Sequence, residues 1–303
     1  MIKKTLYFGN PCYLSQKDMQ LKIQIPSNEE NKADKVSSIP IEDIGIVILD
    51  NPQITITQTV MSSLLENNST IITCATNHLP AGMMLPLSGN TIQTERFTAQ
   101  IKASIPLKKQ LWKQTVTCKI ENQAAVLEQE KKSAANMRVW AEQVTSGDTK
   151  NLEARAAIYY WKNVFRQYPD FIRSREGIFP NNFLNYGYSI LRAIAARSLV
   201  GSGLLPTLGI HHHNRYNAYC LADDIMEPYR PFVDSLVLGI LQDEPGSELL
   251  TPLLKKRFLG IPVIDVMVDK EESPLMIAMQ RTTSSLAKCF AGEQRTIIYP
   301  SYS

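Results

Sequence analysis

The chain has 303 residues, 44% hydrophobic and 20% charged, with a formal net charge of +3. That length suits one large or two ordinary domains with real cores, and the composition is that of an ordinary soluble globular protein. No apolar run approaches the roughly 20 residues that a membrane helix needs; Leu236 to Leu241 is the most apolar stretch, and Pro231 and Asp234 precede it.

Met1 to Gly9 has two lysines but only a brief apolar segment and no small-residue cleavage site, so it reads as a first strand rather than a secretion signal. The first ninety residues are β-rich. Thr5–Phe8 and Leu21–Ile25 fit strands, the second by strict alternation. Asn28 to Lys35 is a polar hairpin loop. A β-branched run, Ile39–Leu49, is cut by Glu42 and Asp43, and Asp50-Asn51-Pro52 marks a turn. Ile54–Thr57 leads into a helix with Val60, Met61, Leu64 and Leu65 on its apolar face. Asn67-Asn68 ends that helix before another strand, Thr70–Thr73. Short strands at this spacing predict a small sandwich or compact sheet with one helix.

From about Thr94 the pattern becomes helical. Long stretches with apolar residues three and four apart run from Lys102 to Val144 and from Thr149 to Tyr168, with Asp148 as N-cap of the second. Further helices fit Asn182–Leu199, Ala218–Met226, Val233–Leu241, Thr251–Phe258 and Pro274–Ala291. The last has Ser273 as N-cap, Pro274 at the first helical position and Gly292 beyond its end. Ile261 to Val268 fits a small hairpin. The expected fold is therefore α+β, with a small β-sandwich-like domain over 1–92 and a larger, mostly helical domain over 93–303. The first holds 6 Lys/Arg against 8 Asp/Glu and the second 26 against 21, so the helical part carries the positive charge. That balance suits a surface facing nucleic acid and equally a mildly basic helical surface.

Five cysteines at 12, 74, 118, 220 and 289 form no CxxC pair. An odd, scattered set fits a reduced cytoplasm better than a disulfide framework or a structural zinc site. No P-loop, dinucleotide fingerprint, GxSxG elbow or HExxH motif is present; Pro206 stands where the third glycine of a fingerprint beginning at Gly201 would fall.

Three histidines, His211, His212 and His213, are consecutive in a loop marked by Gly and Pro. Adjacent residues cannot all face one point, so one or two could bind a metal or handle a proton; a solvated polar loop is the plain alternative. In the helix that follows, Asp224 and Glu227 stand at i and i+3 on one face, while Asp223 points elsewhere. Two carboxylates shortly after a histidine can form an O/N site for Mg²⁺ or Mn²⁺, or an acidic solvated face. Glu153, among alanines, can be drawn into a cleft or can pair at the surface with Lys150 or Arg155.

The segments that carry a resemblance run the length of the chain: Ile41 to Thr55, Leu64 to Asn68, Met83 to Leu87, Gly147 to Trp161, and above all Gly203 to Asn214 and Leu221 to Asp234. In this order they resemble the CRISPR-associated spacer-integration endonuclease, the larger subunit of the adaptation complex, in the form that accompanies a single-protein RNA-guided effector nuclease. The resemblance implies a metal-dependent DNA endonuclease and integrase. In it a 3′-hydroxyl attacks a phosphodiester to join spacer DNA to a repeat array, or water attacks and the strand is cut. It implies metal ligands at Glu153, at His212 (three residues after Gly209 in a Gly-x-x-His pattern) and at Glu227, with Asp224 as a further acidic residue near the Mg²⁺ or Mn²⁺. Its implied partners are double-stranded DNA, a second copy of the chain joined through residues 1–92, and the small second subunit of the complex. The effector nuclease is a further candidate partner, and no membrane is involved. Arg155, Arg173, Arg175 and Arg230 are candidates for phosphate contacts. The alternative, from a different class, is a non-catalytic DNA-binding scaffold of the same complex; a metal nuclease with no integrase role is a third reading.

Overall fold

In the computed structural model the described residues are 3–27, 33–76, 78, 80–168, 170–174, 179–244, 246 and 248–302. The tip of the expected hairpin loop (residues 28–32) and Arg175 lie outside them.

The N-terminal part holds two four-stranded sheets. Its strands are β1 (Lys4–Phe8), β2 (Cys12–Lys17), β3 (Gln20–Ile25), β4 (Lys35–Pro40), β5 (Ile44–Leu49), β6 (Ile54–Ile56), β7 (Thr70–Cys74) and β8 (Pro80–Met84), with helix α1 at Gln58–Glu66. One sheet runs β1-β5-β7-β8 and the other β4-β3-β2-β6. β5 is parallel to β1 and to β7, whereas β2 and β3 pair antiparallel. The cut at Glu42-Asp43 is a short 3₁₀ turn between β4 and β5. Two strands escape the sequence pattern, and a third, β4, is caught only at its end, Ile39-Pro40. β2 ends in the polar run Ser15-Gln16-Lys17, and β8 starts at a proline and carries Gly82, which only a sheet edge tolerates.

The helical part comprises α2 (Gln93–Lys102), α3 (Ile105–Gln129), α4 (Ala135–Gln143), α5 (Leu152–Val164), α6 (Asn181–Gly201), α7 (Cys220–Met226), α8 (Arg230–Asp243) and α9 (Pro252–Phe258). A hairpin of β9 (Asp265–Val268) and β10 (Glu271–Pro274) and the final helix α10 (Leu275–Ala291) complete it. The expected stretch from Lys102 to Val144 is two helices, α3 and α4, and α2 ends where it begins. Ser104 accepts a hydrogen bond from the Leu107 amide at 3.3 Å and Pro106 sits in the first turn, which starts α3 afresh. The predicted hairpin at Ile261–Val268 lies later, because Ile261–Val263 is a 3₁₀ turn. Ser273 is not the cap of α10: it pairs with Val266 in the hairpin, and Pro274 takes the cap position. Gly292, at φ +77°, ends that helix as expected.

β5 is buried on both faces, and this joins the two parts. Ile44 and Val47 face the core between the two sheets, with Leu14, Leu21, Val60 and Leu64. Ile46 and Ile48 face the other way, with Ile72, into the core of the helical part. There they meet an interior built on α6, whose Phe183, Ile190, Ile194 and Leu199 are buried. A buried ion pair crosses the same junction: Lys255 of α9 reaches Asp50, just after β5, at 2.6 Å. Among the described residues, no helix is long and apolar enough to cross a membrane.

Candidate active site

Three segments bring chemistry together against α3. The first is the start of α5. Asp148, at φ +47°, turns its carboxylate onto the amides of Leu152 and Glu153, at 2.9 Å each. It thus does the work of a cap from outside the helix, and the first turn is fixed. Leu152, Ala156, Tyr160 and Val164 form the buried stripe of α5. Glu153 lies beside that stripe, and its Oε1 accepts from Lys119 Nζ of α3 at 2.6 Å. It pairs with neither Lys150 nor Arg155; the latter stacks over Trp140.

The second segment is the histidine loop, which wraps the Asp224 carboxylate. Asp224 Oδ2 accepts from the amides of Ile210 and His211 at 2.7 and 2.9 Å, and Oδ1 from that of His212 at 3.3 Å. A side chain on Gly209 would stand 2.3 Å from the His212 carbonyl oxygen and 2.8 Å from Asp224 Oδ2, so only glycine fits. The three histidines separate. His212 Nδ1 lies 2.5 Å from Asp224 Oδ1. His211 stacks parallel on the buried Trp112 ring, with centroids 4.1 Å apart, and His212 meets the same ring edge-on at 5.6 Å. His213 is exposed.

The third segment follows α7. Glu227 opens a 3₁₀ turn and is buried. Its Oε1 pairs with Arg230 at 3.0 Å, three residues on. Its Oε2 lies 2.6 Å from Lys119 Nζ, yet it has no aligned hydrogen-bond partner. Asp223 indeed points elsewhere, to Arg192 at 2.7 and 3.1 Å and to Asn217 at 2.7 Å.

The electrostatics follow from burial and pairing. Burial opposes a charged Glu227, but Arg230 and Lys119 prevail and hold its carboxyl down to about 2. Burial likewise opposes the Lys119 ammonium, and Glu227 and Glu153 together raise it above its ordinary value. The bond to Asp224 raises His212, helped by the charges of Asp224, Glu227 and Glu153. His211 is lowered, by burial first and by its neighbour His212 next.

Glu153, His212 and Glu227 therefore share one electrostatic neighbourhood, while Asp224 has both oxygens engaged by the loop. Among the described residues no three His, Cys, Asp or Glu side chains are close enough to hold one ion as they stand. The Lys119 ammonium lies between the two glutamates. The donor set nonetheless fits a hard divalent cation. It offers two carboxylates, one with an orphaned buried oxygen, and an imidazole whose Nδ1 is held so that Nε2 is left over, with a cation already seated between the carboxylates.

Sequence reasoning missed Lys119 and Trp112. Both lie in α3, where Trp112, Val116, Lys119, Ile120 and Leu127 are all buried. A lysine inside an apolar stripe at helical spacing is the signal that could have found it. Of the candidate arginines, Arg173 bonds Asn181 and Asn185 at 3.0 and 2.7 Å, and Arg230 is held by Glu227 and lies over the Tyr188 ring.

Comparison with known proteins places the chain. The family model described as "CRISPR associated protein Cas1" matches residues 6–245. A "CRISPR-associated endonuclease Cas1" from Neisseria meningitidis is 34% identical over 287 residues, which span 94% of this chain and 91% of the relative. Among solved structures, a casposase bound to integration product superposes with a TM-score of 0.79 at 19% identity, covering 98% of this chain and 92% of that one. A chain of a Cas6-RT-Cas1–Cas2 complex superposes with a TM-score of 0.72 at 19% identity, covering 97% of this chain and 36% of that one. With four-fifths of its length inside the family match and a relative of this identity along nearly all of it, the chain belongs to the CRISPR associated protein Cas1 family.

Proposed function

We propose that the chain is a divalent-metal-dependent DNA endonuclease and integrase that joins spacer DNA to a CRISPR repeat array. The observation that carries this reading is the meeting of Glu153 and the buried Glu227 on one cation beside an oriented His212. Glu153, His212 and Glu227 would hold Mg²⁺ or Mn²⁺. The ion, when bound, would neutralise charge on the scissile phosphate and on the leaving oxygen. Asp224 fixes the His212 ring through Nδ1, so Nε2 is the nitrogen that would bind the ion. Arg230 holds Glu227 ionised and oriented. Attack by a 3′-hydroxyl gives strand transfer, and attack by water gives cleavage.

Duplex DNA as the substrate is supported by the positive balance of residues 93–303 and by the names of the relatives, an endonuclease and a casposase on its integration product. The small second subunit is supported by the Cas1–Cas2 assembly of the structural neighbour. Two ends of a spacer need two active sites at a fixed separation, which a symmetric homodimer joined through residues 1–92 supplies. Five unpaired cysteines agree with a reduced cytoplasm.

A plasmid integration assay with a short duplex, run with and without the small subunit, tests this. Expected are branched or nicked plasmid products that require Mg²⁺ or Mn²⁺ and vanish in Glu153→Ala. Products that persist in Glu153→Ala, or an inert wild-type complex, would favour the scaffold reading.

A further inference from the structure

We infer that Lys119 is a built-in counter-ion of the metal site: its ammonium occupies the space between Glu153 and Glu227 in the metal-free protein and must withdraw when a divalent cation enters. This rests on the metal-dependent reading above.

Three observations carry it. The ammonium stands 2.6 Å from Glu153 Oε1 and 2.6 Å from Glu227 Oε2, on the side where each carboxylate has no other cation. The two contacts differ in geometry: Lys119 makes an aligned hydrogen bond to Glu153 and meets the Glu227 oxygen at the same distance but out of line. One ammonium thus spans two carboxylates at equal distance but lies along the hydrogen-bond direction of only one, so it bridges them as a charge between them. Finally, both glutamates keep support when the lysine leaves. Glu227 retains Arg230, and Glu153 remains in a helical turn fixed by Asp148.

Chemistry gives a reason for the arrangement. Two carboxylates held close together at a largely buried site repel strongly, and either would take up a proton or turn away. A lysine keeps both ionised and near each other. Its four-carbon stem is flexible, so the head can withdraw by a few ångströms without moving α3. With Lys119 and Arg230 the two glutamates are neutralised. A divalent ion in place of the ammonium brings one more positive charge to the same oxygens, which favours a DNA phosphate. The lysine therefore competes with the metal for the same oxygens.

The test is Mn²⁺ binding to the full-length protein without DNA, followed by electron paramagnetic resonance of the free ion, for wild type and Lys119→Gln. The expected result is at least about tenfold tighter Mn²⁺ binding by K119Q, together with a larger Mn²⁺-induced rise in melting temperature than in wild type. Equal or weaker binding by K119Q overturns the inference, because it would make the lysine a support of the ligands rather than their occupant. A second measurement uses the wild-type chain and so does not depend on how the variant folds. Amine acylation of Lys119, read by mass spectrometry, should rise severalfold on adding Mn²⁺, since only 11% of its side chain is exposed in the metal-free state. Equal labelling with and without Mn²⁺ overturns the inference. If neither wild type nor K119Q binds Mn²⁺, the metal-dependent reading fails and takes this inference with it. Binding by wild type with no effect of the substitution sinks the inference alone.

Discussion

Asp224 grips His212 twice, through the backbone amide at 3.3 Å and through ring Nδ1 at 2.5 Å, while its other oxygen takes the amides of Ile210 and His211. The carboxylate is fully buried and holds the loop and the imidazole together. It acts as a positioning residue, one shell away from any metal bound through Nε2. Asp224→Asn keeps one acceptor but loses the charge that fixes the tautomer. Partners of this kind typically change metal affinity or activity by roughly 10–100-fold. The variant should fall in that range for both Mn²⁺ affinity and plasmid nicking. Wild-type values in both assays would remove Asp224 from the site.

Alanine at Glu153, His212 or Glu227 should abolish nicking and integration, since each removes one donor from a set of three. His213→Ala, at an exposed position, should stay within a few-fold of wild type. His211→Ala should not be silent. Its ring stacks on Trp112, and an aromatic contact of this kind is worth about 0.5–1.5 kcal/mol. A loss of stability on that scale with a modest loss of rate is expected, measured by denaturant unfolding and nicking. An inactive H213A beside an active H212A would show that the neighbouring ring is the ligand.

The positions of Glu153, His212, Asp224 and Glu227 were legible because each stands in a segment whose residue order resembles the family, and the helical spacing of Asp224 and Glu227 follows from chain geometry. Their division of labour was not legible. Whether Asp224 meets a metal or the backbone depends on how the loop from Gly209 to Tyr219 folds over α7, and nothing in the local pattern fixes that. Lys119 was obscured because its partners lie 34 and 108 positions away in sequence, and a lone lysine in a helix ordinarily marks the solvent side. The strands were read where apolar alternation is unbroken, as in Leu21–Ile25, and missed where it breaks, in β2 through the polar run Ser15-Gln16-Lys17 and in the edge strand β8 through a proline and a glycine. The junction through β5 follows a rule the sequence did carry: a continuous run of Ile44 to Leu49 is a strand covered on both faces.

Asp50 and Lys255 tie the two parts of the chain together. Lys255 Nζ lies 2.6 Å from Asp50 Oδ2, and Tyr7 and His78 bond the same carboxylate at 2.6 and 2.8 Å. Burial opposes the charge on Asp50, but the bonds from Lys255, Tyr7 and His78 keep its carboxyl below the usual range. Lys255→Met leaves that charge buried with only neutral donors and a partly exposed histidine. Removing one partner of a buried ion pair costs about 3–5 kcal/mol, and K255M should lose stability on that order in denaturant unfolding. The double variant Asp50→Asn, Lys255→Met should recover much of the loss. A K255M protein as stable as wild type would mean that the pair does not hold the junction.

A second buried carboxylate behaves in the opposite way. Asp234 is fully buried, and burial pushes it up to about 6 despite hydrogen bonds from Tyr188 and Tyr160 and the charges of Arg173 and Arg230. Its folded-state value lies above its unfolded one, so its contribution to stability is complete below about 4 and is lost as pH rises through about 6. A shift of that size corresponds to about 3 kcal/mol. Asp234→Asn removes the titration while keeping an acceptor for the tyrosines. The stability of wild type relative to D234N should therefore fall as pH is raised from about 4 to 6.5. Parallel unfolding curves across that range would contradict the assignment.

The proposed homodimer makes the most direct demand on the N-terminal part. On the sheet formed by β4, β3, β2 and β6, Leu14, Leu21 and Ile23 turn inward. The register sets Tyr13 opposite Gln24, Gln24 opposite Val36, and Tyr13 beside Thr55, which makes one row across the outer face. Tyr13 is 49% exposed and Val36 60% exposed in the monomer. β4, the edge of that sheet, bears exposed residues along most of its length, with only Lys35 as a charge to discourage pairing. Such a face is a poor surface for a lone chain and a suitable one for a two-fold partner, which would place the same row against itself. Truncation at residue 93 would be a weak test, because Ile46, Ile48 and Ile72 belong to the core of the helical part and their removal would strip it. Point charges on the outer face avoid that difficulty. Sedimentation of the full chain at micromolar concentration should report a dimer. Tyr13→Glu with Val36→Glu should shift it to monomer while leaving the melting temperature of the monomeric unit little changed, since both side chains point away from the core. A double variant that sediments as wild type would move the interface off this face, and a monomeric wild type would remove the dimer from the proposed function.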